Sequence, residues 1–142
     1  MTVTFFGHRD TPLSVRAVVK QTVERLILEE GATCFYVGNH GAFDRMVAGV
    51  LQEIEQVQPH IRWYVVLAYL PTSKNGKTYT NTLYPEGLET VPPRFAVCAR
   101  NEWMIKQADT VVAYVAHKTG GAAQFAQKAK KMGRRVIELA PF

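Results

Sequence analysis

The residues most able to do chemistry lie in three glycine-rich turns, each of which follows an apolar stretch of the chain. These turns are Gly7-His8-Arg9-Asp10, the segment Gly38 to Asp44, and Thr119-Gly120-Gly121. A helix that begins directly after a strand presents free backbone N–H groups and a partial positive charge, which attract anions. Glycine lets that backbone approach a phosphate without a Cβ in the way. The turns therefore predict a site for a phosphate-bearing small molecule.

Two arginines, Arg9 and Arg100, are the cationic candidates for this site. An arginine can hold a phosphate through two parallel hydrogen bonds. Arg9 lies in the first turn, and Arg100 lies near the start of a predicted helix, directly before Asn101. For Arg100 the alternative role is a salt bridge to Glu102 or Asp109.

Three side chains are candidates for acid–base or nucleophilic chemistry: His8, Asp44 and Glu102. His8 could bind a phosphate, act as acid or base near neutral pH, or bond to backbone. Asp44 could bind a ribose hydroxyl or cap the helix that it begins. The sequence contains no metal-type spacing, no GxGxxG or P-loop motif and no GxSxG elbow, so we expect no metal and no cofactor.

Strand and helix patterns alternate along the chain, and this alternation predicts the elements that position these residues. The predicted fold is α/β: one Rossmann-like three-layer α/β/α domain over 1–142 with a five-stranded parallel sheet in the order 3-2-1-4-5. In that order the turns after the first and fourth strands are neighbours at the carboxyl edge of the sheet. The predicted strands are Thr2–Phe6, Thr33–Val37, Arg62–Leu70, Thr110–Val115 and Arg135–Leu139, and the predicted helices are Pro12–Glu29, Phe43–Val57, Arg94–Gln107 and Gly120–Met132.

The segment 71–93 interrupts the alternation with six prolines and glycines that stand between polar residues. They are Pro71, Gly76, Pro85, Gly87, Pro92 and Pro93. We expect an irregular flap over the sheet edge, which either carries binding residues or is a passive insertion.

The formal net charge is +5, and the sequence pI is near 9.4. A basic chain can bind nucleic acid or anionic metabolites. Its main basic cluster lies around the end of a predicted helix, where cations favour the helix dipole, and no exposed aromatics are expected there. We therefore expect no nucleic-acid partner. The cluster consists of Lys128, Lys130, Lys131, Arg134 and Arg135.

The two cysteines, Cys34 and Cys98, are predicted to be buried free thiols in a reducing cytoplasm. The chain begins with a predicted strand instead of a signal peptide, and no apolar run is long enough to cross a bilayer. We expect a cytoplasmic protein without a membrane partner.

The chain resembles the SLOG superfamily, the Rossmann-like fold that unites the DNA-processing protein DprA with the LOG phosphoribohydrolases, and within it the YpsA-like branch. The resemblance spans nearly the whole chain. It implies a site for a nucleotide or nucleotide-derived ligand and allows a homodimer. Its motifs are Phe6-Gly7-His8-Arg9, Gly41-Ala42-Phe43-Asp44, Arg100-Asn101-x-x-Met104 with Ala108-Asp109, and Gly120-Gly121-Ala122.

The LOG enzymes carry a pattern like PGGxGTxxE, from which this chain departs. Thr119 replaces the proline, Ala123 a glycine, Gln124 the threonine and Gln127 the catalytic glutamate. A glutamine cannot ionise to act as a base or stabilise an oxocarbenium-like centre, so LOG-type cleavage is not expected.

Three functions follow, in order of preference. The first is a non-catalytic sensor that binds a nucleotide-like metabolite. The second is an N-glycosidase or nucleoside deoxyribosyltransferase-like enzyme that uses Glu102, Asp44 or His8. The third is DprA-like nucleic-acid binding. The predicted ligand-binding residues are Gly7, His8, Arg9, Gly38, Gly41, Phe43, Asp44, Arg100, Asn101, Met104, Thr119, Gly120, Gly121 and Ala122.

Overall fold

The β-branched and aromatic runs of the chain form a parallel sheet, and the amphipathic stretches between them form helices. The computed structural model describes residues 1–70 and 79–139. Its strands are β1 (Thr2–Phe6), β2 (Cys34–Val37), β3 (Arg62–Val66), β4 (Thr82–Leu83), β5 (Thr110–Ala113) and β6 (Arg135–Glu138). Its helices are α1 (Val15–Glu30), α2 (Ala42–Val57), α3 (Ala96–Gln107) and α4 (Gly121–Lys131), with 3-10 turns at Leu88–Thr90 and Pro93–Phe95.

The sheet order is β4-β3-β2-β1-β5-β6, and every pairing is parallel. Without β4 this is the predicted order 3-2-1-4-5, so the Rossmann-like α/β fold is confirmed. The chain reverses its direction of travel across the sheet at β1, which pairs with β2 on one side and β5 on the other. A ligand crevice is expected beyond the carboxyl ends of the strands at such a reversal.

The two faces of the sheet hold separate cores. On one face, the apolar sides of α1 and α2 pack against side chains such as Val3, Phe5 and Phe35. On the other face, α3 and α4 contribute Met104 and Phe125 to a smaller cluster. Helices on both faces explain why the central strands are nearly continuous in apolar residues.

Several element boundaries differ from the sequence prediction. Pro12 lies before α1, and its carbonyl accepts a hydrogen bond from the Val15 N–H (3.1 Å). The third strand ends at Val66 instead of Leu70, and Tyr69 and Leu70 are exposed. Apolar composition alone could not distinguish these loop residues from strand residues.

The predicted flap is partly ordered into regular structure. Thr82–Leu83 forms β4, a sixth strand at the sheet edge, and Leu88–Thr90 and Pro93–Phe95 form 3-10 turns. Residues 71–78 of the predicted flap lie outside the described part of the chain. Within the described ranges, no helix has the length and apolar character needed to span a bilayer.

Gly7 is required by packing, because a Cβ at this position would lie 2.1 Å from the Phe43 ring. We expect Gly7→Ala to lower the free energy of unfolding by about 1–3 kcal/mol, the usual range for overpacking a core. Urea denaturation measures this change. Gly49→Ala is the matched control, since a Cβ there meets nothing within 4 Å and alanine suits the interior of α2 better than glycine. Equal stabilities of the two variants would contradict this packing role.

Candidate functional site

A cavity of about 420 Å³ opens at the carboxyl edge of the sheet, where β1 ends between the N-terminal parts of α3 and α4. It therefore lies at the reversal point of the sheet. Its lining is contributed by β1 and the turn after it, the start of α2, α3 and α4. The lining residues are Phe5, Phe6, Gly7, His8, Arg9, Asp10, His40, Asp44, Val97, Cys98, Arg100, Asn101, Met104, Gly121, Ala122, Gln124 and Phe125.

His8 is held by backbone from two sides. Its Nε2 accepts hydrogen bonds from the N–H groups of Ala116 (2.8 Å) and His117 (3.3 Å). Its carbonyl accepts from the Thr11 hydroxyl (2.6 Å). Burial, with a smaller contribution from His117, lowers the pKa of His8, while Asp10 opposes the shift. A neutral His8 thus ties the turn after β1 to the loop after β5.

The side chain of Arg9 is exposed, whereas that of the preceding residue, His8, is buried. Its guanidinium makes no hydrogen bond and no ion pair with any residue in 1–70 or 79–139. The side chain nevertheless lines the cavity. A cation with all its donors available is therefore present at the mouth of the site.

The start of α2 is already occupied by the protein. The Ala42 N–H donates to the Arg9 carbonyl (2.9 Å), and the Phe43 N–H donates to the His8 carbonyl (3.4 Å). The expectation that all three turns leave free N–H groups for an anion is thus wrong for this helix. The turn after β1 also does not open a helix directly, since α1 begins only at Val15.

The start of α4 is more open. Gly120 has a φ of 101°, which favours glycine, and a Cβ added at Gly120 or Gly121 would meet nothing within 4 Å. Gly121 lines the cavity and is the first residue of α4. The first N–H groups of a helix have no partner inside it, so this end can accept an anionic group.

Arg100 is buried, with 2% of its surface exposed, and its guanidinium joins three elements. Nη1 donates to the Val66 carbonyl (2.9 Å) and to Oδ1 of Asn39 (3.2 Å). Nε donates to Oδ1 of Asn101 (2.8 Å), and Nη2 to Nδ1 of His40 (3.2 Å). Four of the five N–H donors of an arginine are thus bound to the protein.

The alternative salt bridges for Arg100 do not form. Glu102 instead pairs with Lys128, and Asp109 accepts a hydrogen bond from the Thr2 N–H (2.8 Å). Glu102 does not line the cavity, whereas Asp44 and His8, the other candidate catalytic residues, do.

Asp44 is half-buried, and its Oδ2 accepts a hydrogen bond from the His40 N–H (2.9 Å). Burial raises the pKa of Asp44 to about 6, although that hydrogen bond and the nearby Arg100, Arg45 and Arg9 act to lower it. Burial, together with Arg100 and Arg9, also lowers the pKa of His40. Gly41 is the cap residue of α2, so Asp44 does not cap this helix. Its carboxylate instead holds the turn before the helix through the His40 N–H, and whether it also binds a ligand stays a prediction.

Nine of the predicted ligand-binding residues line the cavity, and five do not. Phe43 is fully buried beneath Gly7, while Gly38 and Gly41 are crowded by Arg100 and by Arg9 respectively. Thr119 and Gly120 precede α4 outside the lining. Whether any of these residues contacts a ligand stays a prediction. The nine are Gly7, His8, Arg9, Asp44, Arg100, Asn101, Met104, Gly121 and Ala122.

The sequence analysis did not select His40, Asp10, Cys98 or Gln124 as site residues, although all four line the cavity. Cys98 is exposed and Cys34 half-buried, so the prediction of two buried thiols is wrong. Cys98 and Gln124 could have been found from helical spacing, because each lies on the first turns of a helix that begins at the cavity.

Within the described residues, three of the five cations in the basic cluster around the end of α4 pair with carboxylates. Lys128 pairs with Glu102, Lys130 with Glu138 (2.8 Å) and Arg135 with Glu30. It surrounds the far end of α4 from Gly121, so it does not contribute to the cavity.

Comparisons with known proteins identify the fold. No protein-family model matches the chain, and no curated protein matches its sequence. Solved structures do match. DNA processing protein A (DprA) from Streptococcus pneumoniae superposes with a TM-score of 0.74 at 17% identity, covering 99% of this chain and 50% of that one. DprA from Helicobacter pylori gives 0.64 at 16% identity, covering 100% of this chain and 66% of that one.

The chain thus spans about half the length of the first DprA structure and 66% of the second. The likeness shows the Rossmann-like fold, while membership of the SLOG superfamily and of its YpsA-like branch stays a prediction. The Helicobacter pylori structure concerns that protein's single-stranded DNA binding mode. This finding contradicts the expectation that nucleic acid can be set aside as a partner, which rested on the basic cluster alone.

Asp44→Asn tests the electrostatics of the cavity. Because the folded protein holds the Asp44 proton more tightly than the unfolded chain does, stability from this group is present near pH 4 and is lost as the pH rises through about 6. The variant keeps an acceptor for the His40 N–H but cannot ionise. We expect it to match the parent protein near pH 4 and to be more stable by on the order of 2 kcal/mol above pH 7.

Urea denaturation at several pH values between 4 and 8 measures the difference. Glu86→Gln, which removes one carboxylate at an exposed position away from the cavity lining, is the matched control. A constant difference for Asp44→Asn across this range would contradict the raised pKa.

Proposed function

We propose that this protein binds single-stranded DNA at the carboxyl-edge cavity, with a backbone phosphate held between Arg9 and the start of α4. The observation that carries the proposal lies in one cavity of about 420 Å³. There Arg9, whose guanidinium bonds to none of the described residues, is paired with a helix start at which Gly121 is open. Phosphate contacts supply most of the affinity of proteins for nucleic acid.

The different roles of Arg100 and Arg9 support this assignment. Arg100 is tied to protein groups, so it shapes the cavity wall and adds positive potential. Arg9 has its donors free for two parallel hydrogen bonds to a phosphate. At Gly121 no side chain stands between the α4 backbone and a ligand in the cavity.

The DprA likeness supports a strand as the ligand. One of the similar structures concerns single-stranded DNA binding, and nearly the whole of the present chain superposes on each of them. Single-strand binding proteins commonly combine a positively charged groove with nearby aromatic side chains.

A free nucleotide-like metabolite is the second candidate ligand. The volume of the cavity, about 420 Å³, lies within the usual range for small-molecule sites. Such a ligand would use the same phosphate contacts, and the protein would then be a sensor, as the first sequence hypothesis holds.

Arg9→Ala tests the phosphate contact. We expect fluorescence anisotropy with a labelled 20-nucleotide single strand to show about 10- to 100-fold weaker binding, because a charge-assisted hydrogen-bonded pair is lost. The dependence of log K on log salt should also become shallower by about 0.7. Lys131→Ala is the matched control, since it removes one exposed positive charge at the far end of α4 and should change affinity little.

Gly121→Ala gives an independent test of backbone access. The added Cβ meets no protein atom within 4 Å, so thermal stability should be retained while strand affinity falls about 10-fold or more. Equal losses for Arg9→Ala and Lys131→Ala would contradict a localised site. Saturable binding of a nucleoside monophosphate, with no measurable binding of the strand, would favour the metabolite instead.

A further inference from the structure

Two exposed aromatic side chains lie beside the cavity and have no role in the core. Tyr69 is 46% exposed and Phe95 is 50% exposed, although large aromatic groups are usually covered. Arg94 accompanies them, with its Cζ 4.8 Å from the centre of the Phe95 ring. We call Tyr69, Arg94 and Phe95 the aromatic rim.

Contacts with the protein hold the aromatic rim in place. The Tyr69 hydroxyl donates to the Pro93 carbonyl (2.9 Å), which joins the loop after β3 to the turn before α3. The Tyr69 ring also packs edge-on against His40, with ring centres 6.3 Å apart. A side chain held in this way loses little conformational freedom when it binds a partner.

The aromatic rim is continuous with the cavity. His40, which contacts Tyr69, lines the cavity, and so do Val97 and Cys98, which follow Phe95 in the first turn of α3. A molecule that leaves the cavity over this part of its wall would therefore meet an aromatic surface beside a cationic one.

We infer that the aromatic rim stacks the unpaired bases of the strand whose phosphate occupies the cavity. This inference rests on the proposed function. It adds that the bases next to the bound phosphate contact the protein at the aromatic rim. Bases of any sequence can stack on an aromatic ring, and a guanidinium plane adds a cation to the same surface. The charge of Arg94 also matches the phosphates that link stacked bases. A duplex is excluded as the occupant, because its bases are already stacked inside the helix.

The test measures the binding of three labelled 12-mers to the intact chain by fluorescence anisotropy. They are a single strand of twelve deoxyadenylates (called deoxyadenylate below), an abasic strand with the same phosphates, and a duplex. We expect the abasic strand and the duplex to bind at least about 5-fold more weakly than deoxyadenylate. Tyr69→Ala and Phe95→Ala should each weaken deoxyadenylate binding by about 5- to 100-fold and leave abasic binding unchanged. The aromatic replacements Tyr69→Phe and Phe95→Tyr should retain most of the affinity.

The outcomes separate this inference from the function on which it rests. In one outcome, deoxyadenylate and the abasic strand bind equally well while Arg9→Ala weakens the binding of both. That result would support the proposed phosphate contact and contradict the stacking role of the aromatic rim. If neither strand binds, the proposed function itself fails. Loss of abasic binding in Tyr69→Ala or Phe95→Ala would show a general disturbance of the site, and it too would overturn the stacking role. The comparison of strands on the parent protein needs no variant, so it is independent of folding effects.

Discussion

The geometry of the site depends on one buried guanidinium, that of Arg100, whose hydrogen-bond donors must find acceptors. Arg100 on α3 reaches the Val66 carbonyl at the end of β3 and, through Asn39 and His40, the turn after β2. Leaving a buried charge without partners would be costly, so these elements can only pack with their relative positions fixed. The wall of the cavity and the support of Tyr69 through His40 both follow from this arrangement.

Hydrogen bonding inside the protein also determines which anion-binding groups remain available to a ligand. Helix starts and arginines are common, but most of them are used inside the protein. The α2 start is bonded to the carbonyls of His8 and Arg9. Three cations of the basic cluster around the end of α4 are paired with carboxylates, namely Lys128, Lys130 and Arg135. In the part of the chain that the structure describes, Arg9 and the start of α4 keep hydrogen-bonding capacity that faces the cavity. The overall charge of +5 therefore says less about ligand binding than the location of the uncommitted groups.

The DprA likeness and the cavity bear on function at different levels. The superposition identifies the Rossmann-like fold, and at 16–17% identity it carries no residue-level information. The cavity chemistry favours a phosphate but does not by itself distinguish a strand from a nucleotide. The neighbouring exposed aromatics favour the strand, because a free nucleotide within the cavity would leave the exposed surface of Tyr69 and Phe95 uncovered.

The sequence by itself determined the alternation of strands and helices, the strand order and the convergence of the turns after β1 and β5, because periodicity and the handedness of parallel connections restrict the topology. It also selected Arg9 and Gly121, which line the cavity and whose contact with a ligand stays a prediction. Only the tertiary structure decided that Arg100 is satisfied by the protein, that α2 is closed to an anion, and that Tyr69 and Phe95 lie at the rim. The reason is physical: these outcomes depend on hydrogen bonds and packing between residues distant in sequence, and a local pattern shows which groups can bind but not which are already bound.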